Sequence, residues 1–124
     1  MAKKNIGKRI GFVDYRLGNY HANVYLDLFR GDLKNRGYTV AGCWALDAKI
    51  GTAWAAEKDV PWFDTPKELD ANVDNYIVLA PSNPEKHLEL CREVFPFGKS
   101  TYVDKTFAQD LVTAKKIFAL ADKH

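Results

Sequence analysis

The first loop of the sequence has a carboxylate and a guanidinium at positions where a phosphate-binding loop normally has glycine. The stretch "IGFVDYRLGNYHANVYLDLF" (10–29) is typical of a strand that runs through a loop into a helix. In such loops glycines let the backbone approach a phosphate, and the helix N-terminus favours its negative charge. Asp14 would repel a phosphate and the side chain of Arg16 would fill its space, although Arg16 could itself supply the positive contact. Gly18 and Asn19 end the loop, and Asn19 is the predicted N-cap of the helix.

Two further polar segments could take part in binding or proton transfer, and each follows an apolar run. The segment "APSNP" (80–84) contains Pro81 and Ser82, and "DKT" (104–106) contains Asp104 and Lys105. A lysine that begins a loop after a strand is most often simply solvated. Whether these residues act together depends on the elements that position them.

Short apolar runs alternate with helical patterns along the chain. The predicted strands are 9–14, 38–44, 75–80 and 100–104, with 61–63 as a short edge strand. Helices are predicted after the caps Asn19, Asp47, Thr65 and Ser82, and a last one from about Thr106, where "TFAQ" has the form of a capping box. This alternation predicts a three-layer, Rossmann-like α/β fold, a parallel sheet with helices on both faces, as one domain over residues 1–124.

In such a sheet the ligand lies outside the carboxyl ends of the strands, where the strand order reverses. The three polar segments begin at these ends and are therefore expected to lie near any ligand. The second strand ends in Cys43, Trp44 and Ala45, where a dinucleotide site usually has an acid for the adenosine ribose. Asp47 comes later and is better explained as a helix cap. The missing acid counts against ordinary NAD binding.

The composition excludes several classes of partner. The chain has 124 residues, 18 basic and 16 acidic, with a net charge of +2, and the basic residues form no stripe of the kind that nucleic acids or anionic membranes bind. Cys43 and Cys91 lie in apolar runs without metal-ligand spacing, so we expect buried thiols and no metal site. No apolar run approaches the ~18 residues of a membrane span. A cytoplasmic protein without a nucleic-acid or membrane partner is expected.

The last segment, "GKSTYVDKTFAQDLVTAKKIFALADKH", resembles the part of the Gfo/Idh/MocA family (glucose–fructose oxidoreductase / inositol dehydrogenase) that carries its Glu-Lys-Pro motif. The segments "IVLAPSNPEKHLELCREVFPFGK" and "AAEKDVPWFDTPKEL" resemble the parts that precede it in that family. The resemblance extends from about Lys8 to His124. It implies an N-terminal Rossmann domain that binds NAD or NADP, with hydride transfer to or from a sugar, polyol or related substrate.

By this resemblance Lys105 matches the motif lysine near the nicotinamide and substrate, and is the expected catalytic residue. His87 matches a helix histidine of the family, and Pro81 the residue that shapes the nicotinamide pocket. The motif itself departs from Glu-Lys-Pro, since it is Asp104-Lys105-Thr106 here. The aspartate keeps the charge, whereas the loss of proline removes a rigid turn.

The first loop is open to three interpretations. It binds a dinucleotide in an altered pose; it binds a different ligand, or a nucleotide only weakly; or it is purely structural, with Asp14 capping local amides and pairing with Arg16. His21 on the first helical turn is expected to be a hydrogen-bonded packing residue rather than a ligand.

The leading hypothesis is the NAD(P)-binding domain of an oxidoreductase. The family's C-terminal substrate domain is absent after His124, so the isolated domain is expected to be inactive. The alternatives are a Rossmann-like binding or regulatory module that has lost dinucleotide chemistry, and a structural or oligomerisation domain. Self-association as a homo-oligomer is expected through Trp62 and Phe63, near the edge strand.

Overall fold

A computed structural model describes residues 7–124, and a four-stranded, wholly parallel sheet lies at its centre. The strands are β1 (Arg9–Asp14), β2 (Thr39–Ala45), β3 (Asn75–Val78) and β4 (Thr101–Val103). Their spatial order is β2-β1-β3-β4, so the direction of strand addition reverses at β1. The helices are α1 (Tyr20–Arg30), α2 (Ala48–Lys58), α3 (Pro66–Asp70), α4 (His87–Val94) and α5 (Leu111–Lys123).

The helices cover both faces of the sheet and form two separate cores. On one face Leu26 of α1 and Trp54 of α2 pack with Phe12 of β1. On the other, side chains of α3, α4 and α5 pack with Val13 and Val78. Phe12 and Val13 belong to opposite cores because successive residues of a strand point to opposite faces. The predicted three-layer Rossmann-like fold is therefore confirmed.

Local capping explains where three of the helices begin. The side chains of Asn19, Asp47 and Thr65 accept hydrogen bonds from the amides of Ala22, Ile50 and Glu68, as an N-cap requires. All three predicted caps are confirmed. The predicted cap at Ser82 is wrong: Pro84–Lys86 forms a 3₁₀ turn without a side-chain cap, and α4 follows it from His87.

The last helix begins later than the sequence pattern predicts. Asp110, not Thr106, is its N-cap and accepts from the amide of Thr113. Thr106 has a φ of 43°, in the left-handed region, so it cannot open a helix. The prediction of a capping box at "TFAQ" is wrong because the chain first makes a tight bend after β4.

The expected edge strand at 61–63 is reduced to a single parallel bridge between Cys43 and Trp62. Trp62 and Phe63 are half-buried: Trp62 packs on the first core, and Phe63 on the second. Each side chain keeps part of its surface open to solvent, so self-association through these two residues stays a prediction. Within residues 7–124 no helix is long and apolar enough to cross a membrane.

Candidate functional site

The carboxyl ends of β1, β3 and β4 lie at one edge of the sheet, and the crevice between β1 and β3 is the point where the strand order reverses. This is where ligands bind in open parallel sheets. The three polar segments identified in the sequence leave the sheet at this edge. Two buried carboxylates, Asp14 and Asp104, lie there, and each is 1% exposed.

Asp14 joins the first loop to the end of β3. Its Oδ1 accepts hydrogen bonds from the amides of Tyr15 at 2.7 Å and Ala80 at 2.9 Å, and its Oδ2 accepts from Nδ2 of Asn19 at 2.6 Å. Burial raises the pKa of Asp14 above the usual aspartate value, and these hydrogen bonds oppose the rise. The carboxylate is therefore occupied by the protein's own donors.

The residue that Asp14 holds, Ala80, has a φ of 56°, a conformation that is unusual for any residue except glycine. The turn behind it is closed by the amide of Asn83, which donates to the carbonyl of Ala80 at 3.1 Å. Pro81 is half-buried and Ser82 exposed in this turn. The hydrogen bond that the Ala80 amide donates to Asp14 therefore fixes the start of the segment that contains the expected site residues Pro81 and Ser82.

Arg16 does not pair with Asp14. Its guanidinium carbon lies 4.9 Å from the centre of the Tyr15 ring, and Nζ of Lys86 lies 5.0 Å from the same ring. Both contacts have the geometry of cation–π interactions. The arginine side chain is exposed, so two cations border the first loop on its solvent side.

Gly18 and Asn19 shape the turn into α1. Gly18 has a φ of 86°, which favours glycine, and the side chain of Trp54 lies beside it. Asn19 links two parts of the site, because its Oδ1 caps α1 while its Nδ2 donates to Asp14. A groove of about 500 Å³ extends from this turn along α2, lined by Gly18, Asp47, Lys49, Ile50, Ala53, Trp54 and Glu57.

Asp104 joins the end of β4 to α1. Its Oδ2 accepts from Nδ1 of His21 at 2.5 Å, and its Oδ1 accepts from the hydroxyl of Tyr25 at 3.1 Å and the amide of Lys105 at 2.7 Å. Burial, then the neighbouring Tyr102 and Asp104, raise the pKa of Tyr25, so that its hydroxyl keeps its proton. The side chain of Lys105 is exposed.

His87 lies beneath the site rather than in it. The side chain is 0% exposed, with Nε2 2.5 Å from the carbonyl oxygen of Leu79 and Nδ1 2.8 Å from that of Phe107. Both neighbours are acceptors, so whichever ring nitrogen carries the hydrogen donates it to a backbone carbonyl. His87 thereby joins the end of β3 to the bend after β4, and has no ring edge open to a ligand.

The structure thus brings the candidate residues into two clusters. Asp14 accepts from Asn19 and from the backbone amide of Ala80, next to Pro81. Asp104 accepts from His21 and Tyr25 of α1 and from the amide of Lys105. His21 is half-buried and hydrogen-bonded, as expected, but the sequence did not identify Asp104 as its partner. The available signal was that Asp104 immediately follows β4, while His21 lies on the first turn of the helix after β1.

Cys43 and Cys91 are buried, and burial raises the pKa of each thiol to about 12. In the described part of the chain no three His, Cys, Asp or Glu side chains are grouped so that they could hold a metal ion.

Sequence comparison and structure comparison give different results. No protein-family model matches the chain, and no curated protein matches its sequence. Solved structures do match its fold. UDP-N-acetylglucosamine 3-dehydrogenase GnnA from Acidithiobacillus ferrooxidans has a TM-score of 0.72 at 19% identity, over 96% of this chain and 36% of that one.

Two other structures give similar values. The WlbA dehydrogenase from Bordetella pertussis, in complex with NADH and UDP-GlcNAcA, has a TM-score of 0.72 at 18% identity, covering 94% of this chain and 35% of that one. Biliverdin reductase from Synechocystis, with biliverdin and NADP+, has a TM-score of 0.69 at 19% identity over 94% and 35%. The chain therefore spans about a third of their length, and the likeness at this identity establishes the fold that these three oxidoreductases share with it.

Proposed function

We propose that this chain is a nicotinamide-dinucleotide-binding domain of an oxidoreductase. The observation that supports this proposal is the position of Asp14. It joins the loops that follow β1 and β3 at the carboxyl-end edge of the sheet, where the strand order reverses. Structurally similar proteins with NADH or NADP+ bound support the same assignment. Hydride would pass between C4 of the nicotinamide and a sugar, polyol or related small molecule.

Each loop has a part in this proposal. The pyrophosphate would lie at the N-terminus of α1 beside Arg16, Gly18 and Asn19, with the cations of Arg16 and Lys86 in place of the missing glycines. Pro81 and Ser82 would border the nicotinamide, and Lys105 would polarise the substrate oxygen. His87 and Asp104 would support the site from below, because each is hydrogen-bonded to the backbone at the carboxyl-end edge of the sheet.

The substrate side of the site would come from residues outside this chain. We expect the domain alone to bind dinucleotide and to turn over little or no substrate. In the complete enzyme, Lys105→Ala should reduce turnover strongly without unfolding the protein.

The direct test is calorimetric titration of this chain with NAD(H) and NADP(H), with AMP as the control for binding through adenosine alone. Micromolar binding of a dinucleotide, weakened in Arg16→Ala and unchanged in the matched surface variant Arg92→Ala, is the expected result. No heat with any dinucleotide would overturn the proposal.

A second function is favoured by one observation. Asp14 occupies the position of the first loop glycine, and its buried carboxylate would oppose a phosphate at that point. A binding or regulatory module without dinucleotide chemistry accounts for this residue directly. Binding of AMP as tight as that of the dinucleotides would favour it, because the nicotinamide half would then contribute nothing.

A further inference from the structure

The pair formed by His21 and Asp104 has the geometry of an oriented acid–base group. Asp104 is buried, and its three partners are Nδ1 of His21, the Tyr25 hydroxyl and the Lys105 amide. A carboxylate only accepts hydrogen bonds, so Nδ1 of His21 must carry a hydrogen toward it. The buried carboxylate therefore selects one tautomer of the neutral imidazole.

The other ring nitrogen of His21 is open. Among residues 7–124 no polar atom bonds Nε2, and no buried side-chain nitrogen or oxygen lacks a partner, so Nε2 must be reached by solvent. The side chain of His21 is 21% exposed. In the neutral ring this nitrogen has a free lone pair, which is how an aspartate-oriented histidine acts as a general base.

We propose that Nε2 of His21 is an acid–base atom of the site and that it exchanges a proton with the hydroxyl of an alcohol substrate. Asp104 is the positioning residue, and the inference rests on the proposed function. A bound oxidised nicotinamide would supply the acceptor for the hydride of the substrate carbon. Nε2 of His21 would take the hydroxyl proton, which leaves a carbonyl compound and an imidazolium ion, and in reduction the imidazolium would return that proton to the carbonyl oxygen.

The location agrees with this role. His21 lies on the first turn of α1, and Asp104 immediately follows β4, so both are at the carboxyl-end edge where a ligand would bind. The same carboxylate that orients His21 also holds the backbone amide of Lys105. The titratable groups that face His21 are Tyr20 and Tyr25 from α1 and Asp104 from the end of β4, with Tyr102 packed against Tyr25.

The two redox states of the cofactor provide a test. The nicotinamide ring of NAD+ has a positive charge and that of NADH has none, so an imidazolium nearby should weaken only NAD+ binding. As the pH falls from 8 to 5.5, we expect the ratio of the NAD+ to the NADH dissociation constant to rise roughly fivefold. The measurement is calorimetry across this range, with NADP+ and NADPH in their place if that pair binds more tightly.

Two variants separate this role from a structural one. In His21→Asn the side-chain amide nitrogen replaces Nδ1 and still donates to Asp104, but nothing replaces Nε2. This variant should have the melting temperature of the wild type, but its ratio of the NAD+ to the NADH dissociation constant should no longer depend on pH. The control His124→Asn changes an exposed histidine at the end of α5, and its ratio should depend on pH as in the wild type. A His21→Asn protein with the wild-type pH dependence would overturn the inference.

Failure of the proposed function would be recognised separately, as the absence of binding by any dinucleotide to the wild type. In that case nitrogen NMR of the wild type, without a ligand or a variant, shows which ring nitrogen of His21 carries the hydrogen. A neutral ring with hydrogen on Nδ1 and a lone pair on Nε2 supports the inference. A neutral ring with hydrogen on Nε2 overturns it.

Discussion

At the scale of single residues, two buried aspartates determine the shape of the candidate site. Asp14 and Asp104 both accept three hydrogen bonds, and in each case one oxygen holds the next backbone amide. A buried carboxylate requires such donors, because leaving it without them would be costly. The two side chains are therefore part of the framework on which a ligand would rest.

Asp14→Ala should reduce the free energy of unfolding by about 2–3 kcal/mol, because it leaves the amide of Ala80 without its partner in a buried place. Urea denaturation followed by circular dichroism measures this. The matched variant Asp110→Ala removes an exposed helix cap and should cost only about 1 kcal/mol. Equal losses in the two variants would contradict the framework role of Asp14.

The ionisation of Asp14 should also make stability depend on pH. Its pKa is higher in the folded chain than in the unfolded one, so the folded state holds this proton more tightly. Stability contributed by Asp14 is therefore greatest below the usual aspartate pKa and declines as the pH rises through the raised value. The free energy of unfolding of the wild type minus that of Asp14→Asn should fall over this range, measured by urea titrations from pH 3 to 7. A difference that rises with pH would contradict the direction of the shift.

At the scale of elements, the backbone of the connection between β4 and α5 can be compared with what a Glu-Lys-Pro motif would require there. Thr106 occupies the proline position of that motif with a φ of 43°. Proline requires a φ near −65°. The backbone of this connection is therefore incompatible with the motif's third residue, whereas Asp104 and Lys105 keep the first two positions.

Introducing the proline of that motif should consequently destabilise the protein. Thr106→Pro is expected to lower the free energy of unfolding by more than about 1 kcal/mol, because the connection must change its conformation. Thr106→Gly is the matched control and should be neutral or stabilising, since glycine adopts this φ without strain. Thermal melts of both variants measure the effect. A Thr106→Pro protein more stable than the wild type would show that the connection does not require a positive φ at this position.

At the scale of the whole molecule, β1 and α5 differ in how much of their apolar surface is buried. The β1 strand lies between β2 and β3 and is buried in both cores. In α5, Ile117 is the one fully buried residue, whereas Leu111, Val112 and Phe118 are 69%, 65% and 62% exposed. A helix with so little buried apolar surface should open more easily than the sheet.

Native-state hydrogen exchange should therefore show the amides of α5 exchanging with a smaller free energy of opening than those of β1, which should exchange only through global unfolding. Ile117→Ala should lower the protection of α5 further, because it removes the helix's main anchor. Equal protection of α5 and β1 in the wild type would mean that the chain unfolds as a single unit.

How much the sequence could predict depends on how local the cause is. The caps at Asn19, Asp47 and Thr65 were predictable because each involves an amide only three residues away. The start of α5 was not predictable in this way. The bend at Thr106 delays the helix to Leu111, and the spacing of the apolar residues gives no sign of that bend. Residues that match a family motif, such as His87, could be identified but not placed.

The sequence by itself determined the alternation of strands and helices, and with it the parallel sheet and the edge where its polar loops gather. These follow from hydrophobic period and capping, which act over a few residues. Only the tertiary structure decided that Asp14 holds an amide 66 residues away and that Asp104 orients a histidine at a separation of 83. It also buried His87 between two carbonyl groups. Such partners depend on which strands become neighbours, and strand order is a property of the packed sheet rather than of any local segment.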